Sequence, residues 1–543
     1  MSDRPLPMTA KCPVAGVARL CCRQALLLSL VPLLFLAAEL ILRGHALPYW
    51  LWFNHDPSYQ YLLNGMHVLE GVAPGHVDHP GTPIQSLVAL VLWLSGGGSR
   101  AGIADAAFIQ PELLLERASD VILGLDTLAV AFLGLLVWKR SGRMVPALLA
   151  QLTPFFSVLA LKHGYGVKPE PMLLLAVLLL SAAMVEQALH PSRRSLIALG
   201  LVVGFGTACK ITFAPIGLAP LLLLATWRQR GTYVAVAAAA LAVFLIPAYG
   251  ALAHMGDWIG QLATHSGAYG GGDKAIIDPH RYPAAFIKLF FARPAYLLLY
   301  FSGVGVLALR WRERRREGLA ASGVERALWG VLAAQLVQML LVAKQPSAHY
   351  VLPALELSGV TAALLWLLML REVKTWMAQR RRIENGFVVL LAFLAAAQTF
   401  AVVRQDRELA SWRAGSLSID MARDFPACAH VYVELASGPS YAWFYNHIYG
   451  SNRYAARLKP VSPASDYYFL AWRGHLENWD GPVSPAALMA AYPCITIRGI
   501  DLPRMRSIAP IFGAAFDKAV VCPAGMESVL VAGATCPAAH NVQ

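Results

Sequence analysis

The chain has 543 residues, of which 57% are hydrophobic and only 14% are charged, and its mean hydropathy is +0.52. Soluble domains carry about 25% charged residues, so this composition excludes an ordinary soluble protein and indicates a membrane protein. The net charge of +13 does not indicate nucleic acid as a partner, because the basic residues cluster in short loops between apolar runs. That clustering is typical of the cytoplasmic loops of multi-pass proteins.

The first apolar run predicts a retained transmembrane helix. Residues 1–24 carry several basic side chains and are expected to stay in the cytoplasm, and the run that follows is too long for a signal-peptide core. With this orientation, the strongly basic loops 310–316 and 371–382 both fall on the cytoplasmic side. The predicted fold class is a polytopic α-helical membrane protein with about eleven transmembrane helices, at 25–44, 117–138, 144–161, 171–189, 195–208, 212–226, 232–252, 286–309, 326–343, 351–370 and 387–403.

The segment 54–85 is a polar island after the first apolar run, and we name it the polar segment. Asp56-Pro57 predicts a helix start, since Asp suits the N-cap and Pro the first helical position. Helical periodicity then places four polar residues on one side, Asp56, Gln60, Asn64 and His67. The apolar stretch 83–95 covers only about 20 Å, whereas a hydrocarbon core is about 30 Å thick. We therefore expect 83–95 to be juxtamembrane or re-entrant.

Residues 404–543 are predicted to form a small periplasmic α/β domain after a transmembrane domain at 25–403, whose first external loop is 54–116. Strand-like runs occur at 430–435, 467–472, 495–500 and 528–533. Four of the eight cysteines lie in this tail, at Cys428, Cys494, Cys522 and Cys536. An exported domain permits disulfides, and four cysteines allow three pairings, among which the sequence does not choose.

This topology brings many polar side chains to the outer face of the membrane. The candidate site residues are His55, Asp56, Tyr59, Gln60, Asp78 and His79 from the polar segment, with Lys168, Glu170, Lys210, Lys344, His349 and Tyr350 from later loops. Placing an ionisable side chain at the level of the membrane costs free energy, so its presence there indicates a function. Carboxylates beside lysines suit a reaction on an anionic lipid-linked substrate, in which lysines hold the phosphate and a carboxylate acts as base.

Three short motifs carry a family resemblance: H-D-P-S-Y-Q-Y at 55–61, K-P-E-P at 168–171, and Lys344 followed by H-Y-V-L-P-A-L at 349–355. Together they resemble the glycosyltransferase C superfamily, in particular its protein O-mannosyltransferase and lipid A aminoarabinose transferase branch. The resemblance spans about residues 25–403. It implies a multi-pass enzyme of the bacterial inner membrane that moves a sugar from a polyprenyl-phosphate donor to a glycan, lipid or protein acceptor at the periplasmic face.

The same resemblance implies roles for individual residues. Asp56 occupies the position of the catalytic carboxylate, and four residues match donor-phosphate contacts, Lys168, Lys210, Lys344 and His349. Many relatives have Asp-Glu where this chain has Asp56-Pro57, so the second acid is missing there. Asp78 is the candidate substitute.

Alternative interpretations stay open for the same residues. Asp56 could be an N-cap, a role compatible with catalysis. A divalent metal could be held by His55, Asp56, Asp78 and His79, although no recognised metal spacing is present. The lysines at helix ends, Lys162, Lys168 and Lys344, fit snorkelling side chains. His67 and His76 are expected to be loop or surface histidines, and Glu39 and Arg43 are expected to pair.

Two other function classes also compete. A transporter or flippase for a lipid-linked sugar or similar anion would share the external lysines. It would also require inverted repeats and ionisable residues at the membrane midplane, and the sequence shows no such repeat. A catalytically silent scaffold with an exported binding domain is favoured only by the missing second acid after Asp56.

Overall fold

The computed structural model describes residues 16–78, 80–96, 100–372, 380–450 and 452–537. The part of the chain before the sheet domain is helical, with α-helices at Gly16–Ala46, His55–Leu69, Thr82–Ser95, Arg100–Ile109, Pro111–Ser141, Met144–Gln151, Val158–Gly164, Pro169–Leu189, Arg193–Cys209, Leu218–Leu223, Trp227–Phe244, Leu252–Thr264, Tyr282–Phe291, Pro294–Glu317, Gly323–Val342, Leu352–Glu356, Ser358–Glu372 and Arg380–Leu417. Helices in the C-terminal domain are shorter and span Met421–Asp424, Pro439–His447, Ala455–Leu458, Pro485–Ala491 and Leu502–Ile508.

Six helices in the described ranges are long and apolar enough to cross a membrane, or seven if one bent pair is a single span. The six are Arg23–Ala46, Pro111–Ser141, Pro169–Leu189, Pro294–Glu317, Gly323–Val342 and Ala348–Met369. A mostly helical, multi-pass membrane protein with a C-terminal sheet domain is therefore supported. The expectation of eleven spans is not confirmed.

Prolines inside the apolar runs explain part of this difference. The run predicted at 144–161 is interrupted by a 3-10 turn, Thr153–Phe156, which contains Pro154. The run predicted at 286–309 is also divided, at Pro294, although its second part, Pro294–Glu317, remains one of the six candidate spans. Proline lacks the backbone N–H and its ring clashes with the preceding turn, so it ends a helix without lowering hydropathy.

The connection between the helices predicted at 232–252 and 286–309 contains a further helix, Leu252–Thr264. The described chain bends by 73° between Trp227–Phe244 and the segment Ile246–Thr264. By contrast, the short apolar helix is present at Thr82–Ser95, with Pro83 in its first turn.

The C-terminal domain contains a sheet of seven strands, β1 Cys428–Val433, β2 Asp466–Leu470, β3 His475–Asn478, β4 Gly481–Pro482, β5 Cys494–Gly499, β6 Val520–Ala524 and β7 Glu527–Ala532. Their order is β4-β3-β2-β1-β5-β7-β6, with β1 parallel to β2 and β5 and the outer pairs antiparallel. All four predicted strands are confirmed as β1, β2, β5 and β7. Apolar clusters cover both faces of β1, which explains why all six of its residues are buried.

Two disulfides cross-link this domain, Cys428–Cys494 and Cys522–Cys536. The first joins directly paired positions of β1 and β5. Of the three pairings that the sequence leaves open, the structure thus selects one.

A buried ion pair anchors the sheet domain to the membrane part. Arg498 lies 2.9 Å from Glu527, and it also donates to the Ile419 carbonyl oxygen at 2.9 Å, just beyond the last long helix. Glu527 accepts from the Ser437 N–H at 2.6 Å, and the Ser437 hydroxyl accepts from the Trp52 N–H at 3.0 Å. This chain of hydrogen bonds fixes the domain beside the start of the polar segment.

Candidate functional site

A cavity of about 610 Å³ lies where the polar segment, several helix ends and the sheet domain meet. Its acidic and lysine side chains are Asp56, Asp78, Glu170, Lys168 and Lys210. Three histidines also line it, His76, His163 and His349. Its volume is within the range of about 300–1,000 Å³ typical of small-molecule sites.

The structure brings most of the sequence-predicted site residues together in this cavity. They are Asp56, Gln60, Asp78, Lys168, Glu170, Lys210, His349 and Tyr350. Lys344 is a correction, since its ammonium donates to the Ala263 carbonyl oxygen at 2.9 Å and the residue does not line the cavity. His79 lies outside the described residues.

Two further predicted residues lie behind the cavity rather than in it. His55 is fully buried, with its ring 5.5 Å from that of Tyr441 and 5.3 Å from that of Tyr445. Tyr59 is also buried, and its hydroxyl donates to Glu112 at 2.7 Å. Both side chains hold the polar segment in place and do not face the cavity.

Asp56 occupies the turn that precedes the first helix of the polar segment. Its backbone angles, φ −98° and ψ 118°, are extended, and Pro57 is also non-helical, so the regular helix begins at Ser58. The Asp56 side chain is exposed to the cavity, and it makes no hydrogen bond or ion pair with any residue that the structure describes. The structure therefore gives no support to an N-cap role and leaves the carboxylate available to a ligand.

The Asp56 side chain is accessible to water inside the cavity, but the cavity walls surround it with protein. Its pKa is raised to about 6; burial is the largest cause, Glu170 contributes to the rise, and Lys168 and Lys210 oppose it. A carboxylate with a pKa near neutrality is suited to accept a proton, because it is ionised at pH 7 and still basic.

Lys210 and Glu170 form an ion pair in the cavity wall. The ammonium of Lys210 lies 2.6 Å from a Glu170 carboxylate oxygen, and both side chains are buried. The same ammonium lies over the ring of Tyr350, 4.7 Å from its centroid. Lys210 has extended backbone angles at the break after the helix Arg193–Cys209, and this break turns its side chain into the wall. Glu170 thus compensates the charge of Lys210.

Lys168 is the cavity cation that has no such partner among the residues described. It immediately precedes Pro169, where the helix Pro169–Leu189 begins, and helix N-termini favour anions. The pKa of Lys168 is lowered to about 8; burial is the largest cause, Lys162 and Lys210 contribute to the fall, and Glu170 opposes it. Lys168 therefore stays mostly cationic at pH 7 and is available to pair with an incoming anion.

Asp78 lies beside two histidines in the cavity wall. Its carboxylate is 4.0 Å from His76 Nδ1 and 3.8 Å from His254 Nε2. Within the described ranges, no three His, Cys, Asp or Glu side chains are arranged to hold a metal ion. His55 does not line the cavity that Asp56 and Asp78 share, and His79 lies outside the described residues, so the described residues alone do not form the hypothetical metal site.

Sequence reasoning missed part of the wall. His67 and His76 are both buried, so a surface position is wrong for them, although His76 does lie in a loop as expected. Asn64 explains the position of His76, because its side-chain oxygen accepts from the Gly75 and His76 N–H groups at 2.7 and 3.2 Å. Its amide also donates to the Tyr449 carbonyl oxygen at 3.3 Å, which connects the polar segment with the sheet domain.

Aromatic residues complete the cavity wall, and sequence reasoning did not place them there. They are Phe53 and Tyr61 near the start of the chain, Trp258 and Tyr269 before the helix Tyr282–Phe291, and Tyr445, Tyr449 and Trp472 in the sheet domain. The aromatic run 441–445 was a visible signal in the sequence, but nothing in it distinguished a cavity wall from a core.

Comparisons with protein-family models, curated proteins and solved structures found no match for this chain. The resemblance to the glycosyltransferase C superfamily therefore rests on its short motifs, and membership stays a prediction.

Proposed function

We propose that this chain is a glycosyltransferase of the bacterial inner membrane. It moves a sugar from a polyprenyl-phosphate donor to an acceptor at the periplasmic face, with the N-terminus cytoplasmic and the C-terminal domain periplasmic. The observation that carries the proposal is the carboxylate of Asp56, which faces a cavity beside Lys168; neither side chain has a hydrogen-bond or ion-pair partner among the described residues.

In this proposal an acidic residue acts on the acceptor and a basic residue acts on the donor. Asp56 accepts the proton from the acceptor hydroxyl as its oxygen attacks the anomeric carbon and the bond from that carbon to the donor phosphate breaks. Lys168 pairs with the phosphate that leaves, so no proton has to be supplied to it. Lys210 and His349 provide further positive or hydrogen-bonding contacts, although Glu170 offsets the charge of Lys210.

The test is turnover of a panel of polyprenyl-phosphate sugars by the purified protein, with Asp56→Asn beside the wild type. General-base catalysis contributes about 100-fold to 10,000-fold, so Asp56→Asn should lose at least that lower factor. Asp480→Asn is the matched control, because Asp480 is an exposed residue of the sheet domain that pairs with Lys459 on the surface. Near-normal turnover by Asp56→Asn would refute the base assignment.

A transporter of a lipid-linked anion is the second candidate, and a specific observation favours it. Glu39, Asp126 and Glu356 are buried in the helical bundle and have no hydrogen-bond partner among the described residues. The expected partner of Glu39, Arg43, pairs instead with Asp120 at 2.5 Å. Buried acids within a bundle are typical of proton-coupled transporters.

Proton coupling separates the two candidates. A transporter should lose lipid translocation when Asp126 is replaced by Asn, and it should respond to a pH gradient across the bilayer. The proposed enzyme should keep its transfer rate in that variant and show no such response.

A further inference from the structure

Two parts of the chain give the cavity chemically different walls. The helical part contributes Lys168, Glu170 and Lys210, whereas the sheet domain contributes the rings of Tyr445, Tyr449 and Trp472. Asp56 lines the same cavity, and Lys168 and Lys210 of the first wall lower its pKa. In the second wall, burial and then the Asp56 carboxylate raise the pKa of Tyr445 and of Tyr449. The proposed base is therefore within electrostatic reach of both walls.

The aromatic wall is built at one edge of the sheet domain. Trp472 comes two residues after β2 ends, and Tyr445 lies on the helix Pro439–His447 that follows β1. Because β1 and β2 are parallel, their carboxyl ends share an edge, which is the usual ligand-binding edge of α/β sheets. The rings of Tyr445 and Trp472 are 5.7 Å apart and nearly perpendicular.

The Trp472 side chain is not needed to fill the core of the sheet domain. Its side chain is 53% exposed although it lines the cavity. A tryptophan presents a large apolar face, and leaving that face in water forgoes the stabilisation that burial would give. Trp258 and Tyr269 line the same cavity from a separate segment of the chain, so more than one element supplies rings to it.

The charged groups near this edge are already compensated. Arg473, next to Trp472, pairs with Glu477 at 2.6 Å. Arg504 pairs with Glu434, which follows β1, at 2.6 Å. An anionic or cationic head group would find no open counter-charge in these pairs. Aromatic faces instead pack on the C–H faces of sugar rings, which also carry the hydroxyl groups that a base can activate.

We propose that the wall formed by Tyr445, Tyr449 and Trp472 is the acceptor site and that the acceptor is a saccharide. The proposal rests on the proposed transferase function and selects among its acceptor classes. The saccharide lies with one ring face on Trp472 and directs a hydroxyl to Asp56. The donor phosphate occupies the opposite side, at Lys168.

The first test measures binding without any donor. Ligand-observed NMR titrations of the purified full-length protein use methyl mannoside, methyl glucoside, maltose and cellobiose as probes. Trp472→Ala should weaken the best of these about tenfold, or about 1.4 kcal/mol. Trp472→Phe keeps a ring and should stay within about threefold. Trp227→Ala removes another exposed tryptophan, which lies outside the cavity, and should change nothing.

The second test separates the acceptor from the donor in turnover. Trp472→Ala should raise the acceptor KM about tenfold and leave the donor KM unchanged. If the wild type transfers sugar to a Ser/Thr peptide and binds no saccharide, the proposed saccharide site is refuted, whereas the transferase function is retained. Saccharide binding that depends on Trp472, without transfer from any donor, would refute the transferase and retain the saccharide site. An equal rise in both KM values for Trp472→Ala would contradict the division of the cavity into two sides.

Discussion

Replacing Lys168 by Arg should extend activity to higher pH. Burial lowers the pKa of Lys168 to about 8, so its positive charge disappears as the pH rises through that value. At pH 9 only about one tenth of the lysine is cationic, so turnover that needs this cation falls about tenfold. A guanidinium has a pKa above about 12 and keeps its charge. The variant should therefore lose the alkaline limb of the pH profile.

The acid limb should be unchanged in the same variant. Burial raises the pKa of Asp56 to about 6, and a general base works in its ionised form, which is lost as the pH falls through that value. At pH 5 about one tenth of Asp56 remains ionised, which again predicts a tenfold fall. The wild type should thus give a bell-shaped profile, whereas Lys168→Arg should give a single acid limb.

The assay is kcat/KM for sugar transfer across the pH range at constant ionic strength. Lys162→Arg is the matched control, since Lys162 lies on the same connection, stacks on Trp412 and does not line the cavity. An arginine can lower the overall rate because its geometry differs, so the shape of the profile is the readout. An unchanged alkaline limb in an active Lys168→Arg variant would refute the phosphate role of Lys168.

Three further predictions concern the sheet domain. Peptide mapping without reduction should recover two disulfides, Cys428–Cys494 and Cys522–Cys536, and any other pairing contradicts the structure. Glu527→Gln leaves Arg498 buried without a counter-charge, which should cost about 3 kcal/mol and increase hydrogen exchange in β5 and β7. The double variant Arg498→Leu/Glu527→Leu should exchange less than Glu527→Gln in these strands. Equal exchange in the two variants would contradict the role of Glu527 as the counter-charge of Arg498. A phosphatase that works only in the periplasm should be active when it is fused after residue 537. Activity at the same position of a reporter that works only in the cytoplasm would instead reverse the topology.

Local patterns in the sequence were sufficient for the elements that depend on local physics. The short helix Thr82–Ser95 follows from a Thr-Pro start and an apolar run too short to span a bilayer. The strands β1, β2, β5 and β7 follow from β-branched and aromatic runs between Pro and Gly breaks. The meeting of Asp56 with Lys168 was predictable because basic loops assign the sides of the membrane.

Other features of the site depend on tertiary packing, which local sequence patterns do not reveal. Lys168 and Lys344 looked equivalent, each a lysine at a helix end, yet only Lys168 reaches the cavity. Trp472 is separated from Asp56 by most of the chain, and no local pattern connects them. Hydropathy also does not register that Pro154 interrupts an apolar run.

The measurement that tests the central claim most directly uses proteoliposomes that contain a labelled polyprenyl-phosphate sugar and an external saccharide acceptor. Transfer to the acceptor and movement of the lipid across the bilayer are followed together for the wild type and for Asp56→Asn. The proposed function predicts label on the acceptor with the wild type, at least about 100-fold less with Asp56→Asn, and no difference in lipid movement. Lipid movement that depends on the protein, without transfer, would contradict it.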